Sequence, residues 1–333
     1  MSEQKGFALG TFSAAGGPQF PGLLLGEEVI AVAELDRRLR RRGRALRGSA
    51  STLALFDNWD HDLPLLEAAA AEGLGAGVPL SSLTVHAPVQ SRQIFCAGAN
   101  YHKHVVDLVV DGTMARDPAA DREAVRARAE AMMTERAKSG MPFIFMGAPS
   151  AVIGPFDDFE VPYDVQQPDW ELELAAVIGR PARRVSAEQA LDHVAGYTIA
   201  NDITARELVN RPDVPQMGMD WLSAKCSPGF LPLGPFITPA AFVGDPQALQ
   251  ITLKLNGETM QDESTADMIF GVARIIAFIS SHVRLLPGDV VLTGSPSGNG
   301  THYNRYIQDG DLIEGSISGL GTQRNRCVAE PRP

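Results

Sequence analysis

The sequence predicts an α+β protein that is built mainly from β-strands. Short apolar runs bounded by glycine- and proline-containing turns dominate the chain, above all after residue 233. Helical patterns are fewer, and a length of 333 residues is enough for two domains. We therefore expect a small N-terminal α/β domain at residues 1–88 and a larger, mainly β domain at residues 89–330.

The composition excludes several classes of protein. With 44% hydrophobic and 21% charged residues, the chain is neither a disordered protein nor a coiled coil. A formal charge of −11 argues against a nucleic-acid surface, and no apolar window is long enough to predict a membrane span. The first residues lack the apolar core of a signal peptide, and the three cysteines form no disulfide or zinc motif. These features fit a cytoplasmic protein.

Short strands and one helix are expected in the N-terminal domain. Apolar runs within residues 6–35 predict strands with a turn at 16–18, and residues 63–74 have a helical pattern. The arginine-rich run 37–47 is interpreted as a solvated loop or helix face.

A candidate general base follows the first strand of the larger domain. Residues 94–98 predict a buried strand, and His104 and Asp107 come shortly after it. On a helix these residues are i and i+3, so their side chains are neighbours. A carboxylate beside an imidazole orients the ring and raises its basicity, as a general base requires. The alternative is a surface histidine near a helix-capping aspartate.

Residues 117–138 predict a strongly charged helix with Pro118 near its first turn. Its apolar stripe is narrow and consists of Val125, Ala129, Met132 and Met133. We interpret it as a mobile cover, a partner-facing helix or a plain surface helix.

Two predicted strands carry acidic residues that could meet at one point. Glu171 and Glu173 share one face of the strand 169–179, because successive side chains alternate. A second apolar run, 194–200, leads to Asp202. A hard cation would remove the cost of facing carboxylates, and oxygen ligation favours Mg²⁺, Mn²⁺ or Ca²⁺ over Zn²⁺. The alternative is a solvated acidic strand face.

Two loops could supply further polar groups. Lys225 lies among small residues in the loop 220–229 and would be functional only if it faces the carboxylates. The loop 293–298 could offer backbone N–H groups and hydroxyls to an anion, although a plain turn is the default.

Four segments resemble motifs of the fumarylacetoacetate hydrolase superfamily and follow one another in the order that the family has. They are residues 98–107, 170–173, 200–207 and 286–298. The branch that they resemble in particular is that of the acylpyruvate hydrolases and 2-oxo-acid hydratase-isomerases. The resemblance covers residues from about 90 to 325. It implies a core of rolled, mostly antiparallel sheets flanked by short helices, and a homodimer.

The resemblance also implies the roles of individual residues. It assigns Glu171, Glu173 and Asp202 as ligands of Mg²⁺ or Mn²⁺, or of Ca²⁺. It implies that His104, Asp107 and Lys225 are catalytic. The remaining candidates would bind the substrate: Tyr101, Arg206, Gly294 and Ser295.

Three departures from the family pattern stand out. Asp107 replaces a glutamate and is one methylene shorter, and Gly147 stands where many members have lysine. The segment between His104 and Pro142 is longer than usual, which indicates a different lid and a different substrate.

The activity implied by the resemblance is metal-dependent hydrolysis of a C–C bond in a 2,4-dioxo acid, such as an acylpyruvate or a fumarylpyruvate-like compound. His104, oriented by Asp107, would activate water. Decarboxylation, hydration or isomerisation of a 2-oxo or 2-hydroxymuconate-type acid, as in aromatic compound catabolism, is the alternative on the same metal site. A non-catalytic metal-binding scaffold is a more distant one.

Overall fold

In the computed structural model the chain is described over residues 6–73 and 75–332. Strands outnumber helices in these ranges, and short helices flank the sheets, so the predicted fold class is confirmed. Residues 1–5 of the predicted N-terminal domain and Leu74, at the end of its predicted helix, lie outside the described residues.

The strands are distributed along the whole chain. In order they are β1 (Ala8–Ser13), β2 (Phe20–Leu25), β3 (Glu28–Ala31), β4 (Val78–Pro79), β5 (Thr84–His86), β6 (Ile94–Gly98), β7 (Phe143–Gly147), β8 (Val152–Ile153), β9 (Phe159–Val161), β10 (Pro168–Asp169), β11 (Leu172–Ile178), β12 (Val194–Asn201), β13 (Thr204–Ala205), β14 (Leu231–Pro232), β15 (Thr238–Pro239), β16 (Gln250–Leu255), β17 (Glu258–Ser264), β18 (Val290–Leu292), β19 (Leu312–Ile317) and β20 (Gly321–Ala329).

The helices are mostly short. They are α1 (Val32–Arg40), α2 (Thr52–Asp57), α3 (Trp59–Ala71), α4 (His102–Arg116), α5 (Arg122–Ser139), α6 (Ala187–Ala190), α7 (Trp221–Lys225), α8 (Val272–His282) and α9 (Gly300–Tyr303). None in the described ranges combines the length and the hydropathy that a membrane crossing needs.

The N-terminal strands form an antiparallel sheet in the order β4-β3-β2-β1-β5. The predicted turn at Gly16 joins β1 to β2 and has a positive φ of 68° there. The strand predicted to include Val32 ends one residue earlier. Val32, Leu35 and Leu39 are all buried, and their spacing suits the inner face of a helix.

The central sheet has the order β15-β12-β11-β18-β6-β7, with β7 at one edge. All its pairs are antiparallel except β18–β6. Every residue of β11 and β12 is buried, as expected for strands covered on both faces. A second sheet, β17-β16-β19-β20-β9, covers one of these faces. A Cβ on Gly315 of β19 would lie only 2.5 Å from Leu172, so glycine permits this close packing.

The N-terminal helices cover the opposite face of the central sheet. Trp59 of α3 belongs to the same buried core as Ala175 and Val177 of β11. Two backbone hydrogen bonds also join Leu9 of β1 to Ile237, at 2.9 and 2.7 Å. The domain boundary near residue 88 stays a prediction.

The long segment before β7 is a helical hairpin formed by α4 and α5. The predicted start of the charged helix at residue 117 is wrong, because Pro118 lies in a turn and the side chain of Asp121 caps α5 instead. Ala129 and Met133 are buried, whereas Met132 is half-exposed and is not part of the buried stripe. The hairpin therefore packs on the core along part of α5.

Candidate metal centre and active site

The pairing of β11 with β12 brings three acidic side chains together. The backbone N–H of Asp202 donates to the carbonyl of Glu171 at 2.9 Å, and the backbone N–H of Glu171 donates to the side chain of Asn201 at 2.9 Å. One carboxylate oxygen each of Glu171, Glu173 and Asp202 lies within 4.8 Å of the other two, and all three residues are buried. The convergence expected from strand alternation is thus present in the structure.

Lys225 reaches this carboxylate cluster from α7. Its Nζ lies 2.8 Å from Oε2 of Glu171 and 2.6 Å from Oδ2 of Asp202. It also donates to the carbonyl of Asp202 at 3.2 Å. Lys225 is buried, although nothing in the local sequence beyond the small residues around it indicates this. Its ammonium therefore neutralises part of the acidic cluster.

Arg206 is also bound to the carboxylates. Its Nη2 lies 2.6 Å from Oε1 of Glu171, and its Nε lies 2.8 Å from Oδ2 of Asp169. These two ion pairs give Arg206 a positioning role, and direct binding of substrate by Arg206 stays a prediction. Sequence reasoning missed Asp169, which also accepts hydrogen bonds from Thr301. The signal that could have found Asp169 is its position two residues before Glu171 in the chain.

The charges of this cluster are unbalanced. Burial alone would raise the pKa of Glu171, but Lys225 and Arg206 outweigh it and lower that pKa to about 2. Burial, reinforced by Asp202 and Glu171, raises the pKa of Glu173 well above its ordinary value. Burial also raises the pKa of Asp202, although Lys225 opposes the shift. The positive charges of Lys225 and Arg206 therefore do not balance the carboxylates of the cluster. A bound divalent metal ion would correct this deficit of positive charge.

His104 and Asp107 lie on α4, as predicted, but they are not a hydrogen-bonded pair in the described part of the chain. Asp107 instead accepts hydrogen bonds from Nη2 of Arg126 at 2.9 Å and from the hydroxyl of Ser297 at 3.0 Å. The expectation that Asp107 orients His104 directly is therefore wrong for this conformation. Burial lowers the pKa of His104, although the nearby Glu171 opposes the shift.

Two residues of the loop between β18 and α9 have their polar groups hydrogen-bonded within the protein. The backbone N–H of Gly294 donates to Oε2 of Glu173 at 2.6 Å. The hydroxyl of Ser295 accepts from Gln261 at 3.0 Å and from Asn299 at 3.3 Å. Gly294 thus holds Glu173, and Ser295 holds the loop, while binding of substrate by these two residues stays a prediction.

Tyr101 and Gly147 complete the set of predicted positions. The hydroxyl of Tyr101 is buried and has no hydrogen-bond partner among the described residues. Gly147 ends β7, where a Cβ would lie 3.2 Å from Ile94. The sequence of β7, FIFMG, contains no charged residue, so this strand brings phenylalanines rather than a lysine to the site.

Sequence comparison connects this site with known proteins. The family model for the fumarylacetoacetate (FAA) hydrolase C-terminal region matches residues 93–328. A mitochondrial oxaloacetate tautomerase of Bos taurus is 34% identical over 254 residues, which are 75% of this chain and 71% of that protein. A 2,4-didehydro-3-deoxy-L-rhamnonate hydrolase of a Sphingomonas species is 40% identical over 188 residues, 56% of this chain and 64% of that protein.

Solved structures share the fold over nearly the whole chain. A probable 2-hydroxyhepta-2,4-diene-1,7-dioate isomerase of Mycobacterium abscessus has a TM-score of 0.72 at 28% identity, covering 98% of this chain and 100% of that one. A maleylpyruvate hydrolase of Sphingobium sp. SYK-6, in complex with manganese(II) and pyruvate, has a TM-score of 0.71 at 24% identity, covering 97% and 100%. The second likeness concerns the fold alone.

Proposed function

Because the chain belongs to the fumarylacetoacetate hydrolase family, we propose that it is a divalent-metal-dependent enzyme that interconverts the keto and enol forms of a 2-oxo acid. Enzymes of this family with hydrolase, isomerase and tautomerase names are among its relatives. The single observation that carries the choice of tautomerisation is the engagement of Asp107 by Arg126 and Ser297.

Glu171, Glu173 and Asp202 would hold the metal ion. Their oxygen atoms and the deficit of positive charge fit Mg²⁺ or Mn²⁺, and Ca²⁺ is also compatible with the donor set. When bound, the metal supplies Lewis-acid polarisation of the 2-oxo group. Gly294 and Arg206 hold Glu173 and Glu171 in place.

His104 is the proposed proton-transferring residue. Burial lowers the pKa of its imidazole, so a ring nitrogen is unprotonated at neutral pH and can accept a proton. In enolisation this proton would come from C3 of the substrate. In ketonisation the ring would take the proton of the enol hydroxyl group and return it to C3. Lys225 remains protonated, because Asp202 and Glu171 raise its pKa against the effect of burial. Its ammonium can donate hydrogen bonds to the developing enolate oxygen or the substrate carboxylate.

Hydrolysis of a C–C bond is the second candidate. It requires activation of water, for which a carboxylate paired with His104 would be useful, and Asp107 is bound elsewhere in this conformation. The 40% identity to a rhamnonate hydrolase favours this alternative. A rearrangement that released Asp107 from Arg126 would be needed to form the dyad.

A substrate panel tests the two candidates. Ketonisation of enol-oxaloacetate and cleavage of acetylpyruvate are followed by ultraviolet absorbance with EDTA, with Mg²⁺ and with Mn²⁺. We expect metal-dependent ketonisation to exceed cleavage, and Glu171→Gln to remove it. Faster cleavage would favour the hydrolase, and metal binding without acceleration of either reaction would favour a scaffold.

Assembly as a homodimer and a cytoplasmic location stay predictions. All three cysteines are unpaired thiols, which suits a reducing compartment.

A further inference from the structure

Three aromatic side chains stand beside the carboxylate cluster, and the mechanism above does not use them. Phe145 and Trp221 are stacked, with ring centroids 4.5 Å apart and planes inclined by 13°. Phe143 continues the group, 6.1 Å from Trp221 and 6.4 Å from Phe145. We call these three residues the aromatic wall.

The aromatic wall is directly continuous with the cluster. Trp221 and Lys225 lie one turn apart on α7. The Nζ of Lys225 is 5.5 Å from the centroid of Phe145 and 5.8 Å from that of Trp221. The same ammonium contacts Glu171 and Asp202, so a ligand group bound at this ammonium has flat aromatic surface within reach.

The aromatic wall also remains accessible. Its two phenylalanines belong to β7, an edge strand with no further strand beside it in the described sheet. Phe143 is 44% exposed, and Phe145 and Trp221 are partly buried. The indole N–H of Trp221 is buried, yet no acceptor for it occurs within the described ranges. A buried donor without an acceptor is unfavourable, and a ligand oxygen would relieve it.

We propose that the aromatic wall determines substrate specificity by stacking on a planar, unsaturated distal group of the 2-oxo acid. This inference rests on the proposed function, since the cluster must hold the 2-oxo acid end. Flat π-systems stack on aromatic rings better than saturated rings of similar size do. The preferred substrates are therefore conjugated or aryl-substituted 2-oxo acids rather than those with bulky saturated chains, and the indole N–H is available to an oxygen of the distal group.

Binding of two matched ligands tests the proposal without requiring turnover. Benzylidenepyruvate and its cyclohexyl counterpart share the 2-oxo acid end and the alkene, and they differ only in the ring. Isothermal titration in saturating Mg²⁺ should show the phenyl compound bound about tenfold more tightly by the native protein. Phe145→Leu and Trp221→Leu should reduce this ratio towards one, whereas Trp221→Phe, which keeps a ring, should largely preserve it.

Leu222→Ala is the matched control, because Leu222 is the neighbour of Trp221 and is 74% exposed. It should keep the native ratio. Equal affinity of the native protein for the two ligands, or a ratio unchanged in both leucine variants, would overturn the proposal. If Trp221→Leu does not fold, Phe145→Leu decides. Mg²⁺ titration of the native protein and of each variant separates the two proposals. A native protein that does not bind Mg²⁺ would contradict the proposed function rather than the role of the aromatic wall.

Discussion

The carboxylate of Asp107 lies 2.9 Å from the guanidinium of Arg126, so the helix α5 supplies the charge that faces it. The second oxygen of Asp107 accepts from Ser297, in the loop that also carries Gly294. Within residues 6–73 and 75–332, no carboxylate is hydrogen-bonded to His104. Asp107 therefore does not form the predicted dyad with His104. It links the helical hairpin of α4 and α5 to the loop between β18 and α9.

The first prediction separates His104 from Asp107. His104→Ala should lower the ketonisation rate by about 10²–10⁴-fold, because a positioned residue that transfers the proton contributes roughly that much. Asp107→Asn should cost less than about tenfold, because Asp107 acts through the hairpin and the loop. Both variants should bind Mg²⁺ with native affinity in calorimetry. Equal losses in the two variants would instead support the dyad.

The second prediction concerns the metal. Glu171→Gln and Asp202→Asn should each weaken Mg²⁺ and Mn²⁺ binding by more than about 100-fold, since even outer-sphere partners of metals contribute 10–100-fold. Isothermal titration measures the affinity, and circular dichroism checks the fold. Asp111→Asn is a suitable control, because Asp111 is a half-exposed carboxylate that pairs with Arg122 outside the cluster. Native affinity in both cluster variants would contradict the assignment.

The third prediction is a pH dependence of stability. Burial and two neighbouring carboxylates raise the pKa of Glu173 in the metal-free protein. The contribution of Glu173 to the free energy of unfolding is fully present below the ordinary carboxyl pKa. It is lost as the pH rises through the raised pKa of Glu173 in the folded protein. The side chain at position 173 cannot ionise in the Glu173→Gln variant. In EDTA, the Tm of this variant minus the Tm of the native protein should therefore be larger at pH 8 than at pH 5.

Metal binding should reverse this relation. A divalent cation stabilises ionised Glu173, so Mg²⁺ should raise the Tm of the native protein and leave that of Glu173→Gln nearly unchanged. A Tm difference in EDTA that does not change between the two pH values would show that Glu173 is not protonated in the metal-free protein.

The fourth prediction concerns motion of the hairpin. A mobile cover is one interpretation of the charged helix predicted at 117–138, but Arg274 donates to the carbonyl of Gly140 at 3.2 Å and Met133 is buried. We therefore expect a gradient of amide hydrogen exchange. The stretch 112–124 should exchange fast, and the C-terminal half of α5 should exchange slowly. Uniformly fast amide exchange along α5 would contradict this gradient and support the interpretation of the charged helix as a mobile cover.

Local patterns explain what could be predicted from the sequence. Side chains alternate along an extended chain, which places Glu171, just before β11, together with Glu173 in β11, and that rule needs only neighbouring residues. The partners of Asp107 lie 19 and 190 residues away, so no local pattern could indicate that they, rather than His104, would bind it. The ion pair of Arg206 with Asp169 likewise depends on the pairing of β10 with β13, which no local pattern indicates.

The contact between the N-terminal region and the central sheet limits how the molecule can be divided. A protein shortened to residues 93–328 would lose the helices that cover Ala175 and Val177, along with the hydrogen-bonding partner of Ile237. The bared surface would be apolar and would favour aggregation. We therefore expect residues 93–328, the segment that matches the family, to need the first 90 residues for stable folding in this chain.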